Sequence, residues 1–285
     1  MTVTTKKKIK IIADSSADLR TLDGVDFAAA PLKILTAEKE YVDNTSLDVE
    51  QMATELHSYK GKSSTSCPNS ADWLEAFGDA ELIFCVTITA TLSGSYNSAM
   101  IAKREYEEAH PDRRVFVLNS QTAGPEIALI IEEVRRLVLE EKDFDEICAA
   151  AEKYAESTGL LFVLESLKNL ANNGRVNPIV AKMVGILGIR LVGKASDRGD
   201  LEPLDKCRGE RKALECVMSK LQELGYAGGK VRIAHCLGEG IAAELANRIR
   251  AKFPAADVSL YKCGGLCSFY AEKGGFLIGF EKAVK

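Results

Sequence analysis

The chain holds 285 residues, with 37 Lys+Arg against 41 Asp+Glu and a formal net charge of −4. That balance argues against a nucleic-acid binder, because neutralising phosphates needs a net basic face. Hydrophobic residues at 46% and charged residues at 27% are ordinary for a globular protein, and at roughly 150 residues per domain the length suggests about two domains.

Residues 8–13 predict a short apolar strand that ends in Asp14-Ser15-Ser16. A second strand is expected over residues 27–35, with Pro31 marking an edge or a bend. Asp48 is the expected cap of a helix running to about Tyr59, and Ser70 that of another through Trp73 and Phe77. Residues 82–88 predict a strand, 93–109 a helix closed by Pro111, and 114–118 a strand. Apolar spacing predicts helices over 127–141 and 144–157. This alternation implies a mostly parallel sheet flanked by helices. Ligands bind such sheets beyond the carboxyl ends of the strands. Three of those ends carry polar clusters, at 14–16, 89–95 and 119–122, and they should converge on one rim.

The second half opens with a strand over 160–164. A helix through Leu167 and Leu170 should stop at Asn172-Asn173-Gly174, with Arg175 next. Strands follow at 188–192, 231–234, 258–261 and 276–280, with helices over 210–224 and 241–253. A boundary near Ser157 divides the chain into two α/β domains, 1–157 and 158–285.

Residues 82–102 carry no charge and could span a bilayer on count alone. The hydroxyls and amides of Thr91, Ser93, Ser95, Asn97 and Ser98 make the stretch a buried strand followed by a polar loop instead, so no integral membrane segment is expected. That loop, and the one over 63–70, could each hold an anion on hydroxyls and free N–H groups at a helix start. A plain strand-to-helix turn and a plain capping loop are the competing readings. Neither loop is a GxGxxG, Walker or GxSxG element. Of His57, His110 and His235, only His235 ends a strand, so a Ser/His/Asp triad would have to use it. Glu105, Glu107 and Glu108 form a solvated helix face.

The eight cysteines (Cys67, Cys85, Cys148, Cys207, Cys216, Cys236, Cys263 and Cys267) include no CxxC pair and no zinc spacing. They are expected to be free, largely buried thiols in a reducing cytoplasm. Lys6-Lys7-Lys8 could open a signal peptide, but Lys10 and Asp14 break the apolar stretch that follows. A cytoplasmic location is therefore expected, without metal or cofactor.

Taken together, the motifs resemble the DegV family of bacterial fatty-acid-binding proteins along essentially the whole chain. The opening Asp14-Ser15-Ser16-Ala17-Asp18-Leu19 is similar to the family's Asp-Ser-Thr/Ser-Ala-Asp-Leu start, and Ala30-Pro31-Leu32 and Tyr41-Val42-Asp43 match its next two signposts. Thr65-Ser66-Cys67-Pro68-Asn69 resembles its Thr-Ser-Gln-Pro-Ser loop. The most specific segment runs from Leu92 to Ala99 and resembles Leu-Ser-Gly-Thr-Tyr-Gln-Ser-Ala. Gly174-Arg175-Val176 is similar to a Gly-Arg-Ile element.

The resemblance implies two α/β domains, the second with a mixed sheet, and a long-chain fatty acid held between them. Its carboxylate would meet Thr65, Ser66, Ser93, Gly94 and Ser95, and its tail would enter an apolar tunnel. A carrier of this kind, not itself an enzyme, presents the acid to a separate fatty acid kinase that makes acyl-phosphate. Arg175, with Lys206, Arg208 and Arg211, is the candidate docking patch for that partner.

The sequence departs from the family near its end. Tyr270 stands where the family has the His of Gly-Thr-His-x-Gly-Pro-Gly, and Glu272-Lys273-Gly274 replaces the Gly-Pro-Gly. A Tyr hydroxyl can still donate to a carboxylate, so Tyr270 joins the candidate ligand residues. Ile189-Arg190-Leu191 replaces Ile-Lys-Pro. The alternatives are a different small anionic ligand at the same rim, or a lipid sensor uncoupled from the kinase. Cys67, Cys263 and Cys267 should border the ligand.

Overall fold

The structure, a computed structural model, describes residues 7–177 and 188–283. Lys6, the first of the lysine run, lies outside them. In the first half the elements are β1 (Ile9–Asp14), β2 (Asp26–Ala30), β3 (Lys33–Leu35), β4 (Glu40–Val42), α1 (Val49–Ser58), β5 (Ser64–Ser66), α2 (Ser70–Phe77), β6 (Leu82–Thr87), α3 (Ser95–Ala109), β7 (Arg114–Asn119), α4 (Pro125–Leu139) and α5 (Phe144–Glu156). In the second half they are β8 (Thr158–Leu164), α6 (Lys168–Asn172), β9 (Ile189–Ala195), β10 (Leu201–Arg208), α7 (Glu210–Glu223), β11 (Lys230–His235), α8 (Glu239–Lys252), β12 (Asp257–Lys262), α9 (Gly265–Ala271) and β13 (Phe276–Glu281).

The chain is α/β. Its first sheet, β2-β1-β6-β7, is parallel throughout. Its large second sheet, β10-β9-β8-β13-β11-β12, is mixed, with β11 and β12 parallel and the other pairs antiparallel. A short antiparallel sheet, β4-β3-β5, sits apart from both.

Several local outcomes differ from the sequence expectation. The strand expected over 27–35 breaks at Pro31, which has no N–H to give a ladder; β2 stays in the parallel sheet and β3 leaves for the small one. Asn69, not Ser70, caps α2. Its side chain accepts the Asp72 N–H at 3.0 Å, while the Asp72 carboxylate accepts the Asn69 N–H at 2.8 Å. Asp48 caps α1 as expected, accepting the Gln51 N–H at 2.9 Å. The third helix begins at Ser95 rather than Ser93.

Helix α4 lies against strands of both sheets, contacting β1 and β6 in one and β8, β11 and β13 in the other. Ile127, Ile130, Ile131 and Val134 pack into the core of the first half. Its close seat on β13 depends on Gly279. A Cβ at that position would lie 2.5 Å from the Glu126 nitrogen. Ser157 is the cap between α5 and β8.

Candidate functional site

The rim is built around one buried carboxylate. Asp14 ends β1 and is wholly shielded from solvent. It accepts hydrogen bonds from the Ser16 hydroxyl, from the Ser95 hydroxyl at 2.6 Å and from the Ile88 N–H at 2.9 Å. Burial pushes its pKa up, and these bonds act in the opposite direction. Further bonds stitch the loops together: Thr89 N–H to the Thr122 carbonyl at 2.9 Å, Ala90 N–H to Asn119 Oδ1 at 3.1 Å, and Gly124 N–H to the Ser16 carbonyl at 2.9 Å. The three polar strand ends do converge.

Against this rim lies a cavity of about 300 Å³. That falls at the lower end of the range of roughly 300–1,000 Å³ usual for small-molecule sites. Leu160, Phe162 and Leu164 of β8, with Leu201, Leu266 and Leu277, supply apolar wall. Thr65, Ser66, Ser93, Gly94, Arg175 and Tyr270 also line it. The structure thus brings together five of the six residues expected at the ligand, and with them Arg175, which was expected in a partner-docking patch instead.

Tyr270 reaches the rim because α9 is hooked to the first half at its start. The Asp43 carboxylate accepts the Gly265 and Leu266 N–H groups at 2.8 and 2.9 Å and also takes the Arg20 guanidinium. Asp18 accepts the Gly264 N–H at 2.8 Å. From there the Tyr270 hydroxyl meets the Thr65 hydroxyl of β5 at 2.7 Å. Burial raises the Tyr270 pKa, while the bond to Thr65 and the nearby Arg175 charge oppose the shift.

The other predicted residues sit as follows. Ser66 donates to the Cys67 carbonyl at 3.3 Å. The Ser93 hydroxyl accepts the Ser95 N–H at 3.2 Å, and Gly94 is the first cap position of α3. A Cβ at Gly94 would come within 3.0 Å of Cys67 Sγ. Ser95 is not among the wall residues; its side chain is fully buried and its hydroxyl is committed to Asp14. Arg175 turns inward: its Nη1 donates to the Asn173 carbonyl at 2.8 Å, and its buried Nε has no hydrogen-bond partner among the described residues. Arg208 and Arg211 are exposed, and Arg211 pairs with Glu215 at 2.9 Å.

Sequence reasoning did not assign Asp18 and Asp43 their role as anchors. Asp43 follows directly on the short strand β4 and is fully buried, which its neighbours in sequence do not show. Cys67 and Cys267 line the cavity, but Cys263 lines a separate, smaller one beside His235. His235 and Ser93 therefore occupy different cavities and assemble no triad. All eight cysteines are free, five of them buried and three partly so. Among the described residues no group of His, Cys, Asp and Glu could hold a metal ion, and no helix is long and apolar enough to cross a membrane.

The family profile described as "Uncharacterised protein, DegV family" matches residues 8–283. The chain belongs to the DegV family. A DegV domain-containing protein of Streptococcus pneumoniae is 44% identical over 276 residues, spanning 95% of this chain and 98% of that one. Among solved structures, a DegV family protein from Eubacterium eligens loaded with heptadecanoic acid matches at TM-score 0.95 and 44% identity, covering 96% of this chain and 100% of that one. The Streptococcus pneumoniae fatty acid kinase (Fak) B3 protein loaded with linoleic acid matches at TM-score 0.95 and 43% identity, covering 97% and 100%. The DegV architecture thus covers both halves of the chain.

Proposed function

We infer that this DegV protein holds a long-chain fatty acid in the cavity between its two halves, read as domains 1–157 and 158–285, and presents the carboxylate to a separate kinase. The cavity itself carries this reading: a largely apolar space with a cluster of hydroxyls in its wall. Burying the acyl chain contributes about 0.8 kcal/mol per CH₂, so the tail supplies the affinity and the polar groups fix orientation. Thr65, Ser93 and Tyr270 hold the head, with Ser66 and Gly94 beside them. Arg175 adds positive charge next to the head pocket, rather than a surface dock for the partner. The heptadecanoic and linoleic acids of the two structural neighbours support the ligand class, and the name of the second supports the kinase. On this reading the chain is a cytoplasmic carrier without catalysis of its own.

Mass spectrometry of the protein after bacterial expression should show co-purified acyl acid, and delipidated protein should take up added fatty acid. Absence of both results overturns the reading. Incubating the loaded protein with a fatty acid kinase and ATP should then yield acyl-phosphate; no turnover would leave a lipid sensor rather than a carrier.

A further inference from the structure

Phe162 of β8 stands opposite Gly193 of β9 in the ladder. Residues paired across strands project to the same face, so the ring and any side chain at 193 compete for one space. A Cβ at Gly193 would lie 2.3 Å from Phe162 Cζ, 2.4 Å from Cε2 and 2.8 Å from the Glu202 carbonyl oxygen of the neighbouring strand. The ring therefore lies down across β9, where only glycine leaves room for it. Phe162 is buried and lines the cavity between Leu160 and Leu164, which share its face of the strand. Strand β8 runs toward the hydroxyl cluster, since it leads into α6, beyond which Asn173 Nδ2 donates to the Ser63 carbonyl at 3.3 Å, beside Thr65. Leu164 is thus on the head side of Phe162, and Leu160 on the tail side.

We propose that the Phe162 ring, laid flat by Gly193, gauges acyl-chain length. This rests on the fatty-acid reading above and adds which residue sets the preferred chain. With the ring flat, the chain passes over it toward Leu160. A smaller side chain deepens that run, and a larger one shortens it. Each further methylene that finds room should tighten binding about fourfold, the equivalent of about 0.8 kcal/mol.

The test loads delipidated wild type, Phe162→Leu and Phe162→Trp with an equimolar series of even-chain saturated acids from lauric to arachidic, and reads the bound acids by mass spectrometry. Phe162→Leu should shift the bound population to longer acids than wild type selects, and Phe162→Trp to shorter ones. Wild-type loading with the same rank order in both Phe162 variants overturns the gauge while leaving the fatty-acid reading intact. A wild type that takes up no acid overturns that reading, and the gauge with it.

Discussion

Thr65 and Tyr270 own two hydroxyl protons between them, and their mutual bond at 2.7 Å uses one. One proton remains to donate outward, and the Ser93 hydroxyl, which already accepts the Ser95 N–H, brings another. A carboxylate entering here is therefore met by donors that are already oriented. Tyr270→Phe and Ser93→Ala should each weaken fatty-acid affinity by about 1–3 kcal/mol, the usual loss for a hydrogen bond to a charged group. Titration calorimetry on delipidated protein reads this directly, and unchanged affinity in both variants would place the head elsewhere. The hydroxyls were legible in the sequence because Thr65, Ser66 and Ser93 stand in polar stretches, although the first of these folds as the short strand β5 and not as the expected capping loop. The fate of Ser95 was not. Nothing in its neighbours along the chain shows that Asp14, far away in sequence, accepts its hydrogen bond. Arg175 carries the same lesson, since a cation following a helix end gives no sign of whether it faces water or a cavity.

Helix α9 has only seven residues and begins Gly-Leu-Cys, without a side-chain cap of its own. So short a helix has little intrinsic stability, and its first N–H groups instead use Asp43 and Asp18 from the other half. Asp43→Ala would leave the Gly265 and Leu266 N–H groups without their acceptor and take the carboxylate from Arg20. It should cost about 3 kcal/mol in denaturant unfolding, as breaking a buried ion pair does. It should also weaken fatty-acid binding, because Tyr270 is carried by this helix. Asp43→Asn, which keeps an acceptor oxygen, should lose less of both. Equal losses in the two variants would show that the hydrogen bonds do not hold the helix. The sequence hid this element. Six of its seven residues are buried, so it shows no amphipathic period. Strand β10 was hidden for the opposite reason, because only Cys207 among its residues is buried and the register shifts between Pro203 and Asp205. The long apolar strands and amphipathic helices, by contrast, lay where alternation and spacing placed them.

Across the whole molecule, buried carboxylates collect where the halves meet. Burial and the neighbouring Asp43 charge push Asp18 up to about 8, opposed by the Gly264 N–H and Arg20. Burial pushes Glu126 up to about 7, opposed by the hydroxyl of Thr158 at 2.8 Å. An unfolded carboxyl titrates near pH 4. Between about pH 4 and pH 8 these two groups therefore hold more protons in the folded chain than in the unfolded one. The stability these two groups contribute is fully present below the unfolded pKa and is lost as pH rises through the folded values. Thermal unfolding across that window should show Tm falling toward alkaline pH, and Asp18→Asn should flatten the fall. Asn tolerates the positive φ of 58° at this position and can still accept the Gly264 N–H. A wild-type Tm that stays level, or an Asn variant with the same slope, would remove Asp18 from the account. Strand β13 follows every other described strand in the chain, yet it lies inside the sheet, between β8 and β11. While the ribosome is still adding residues before Phe276, both of those strands wait with an open edge. Leu277, part of the cavity wall, arrives with β13. On the fatty-acid reading, a nascent chain thus lacks part of the cavity wall, and lipid capture awaits the closing of the sheet from within.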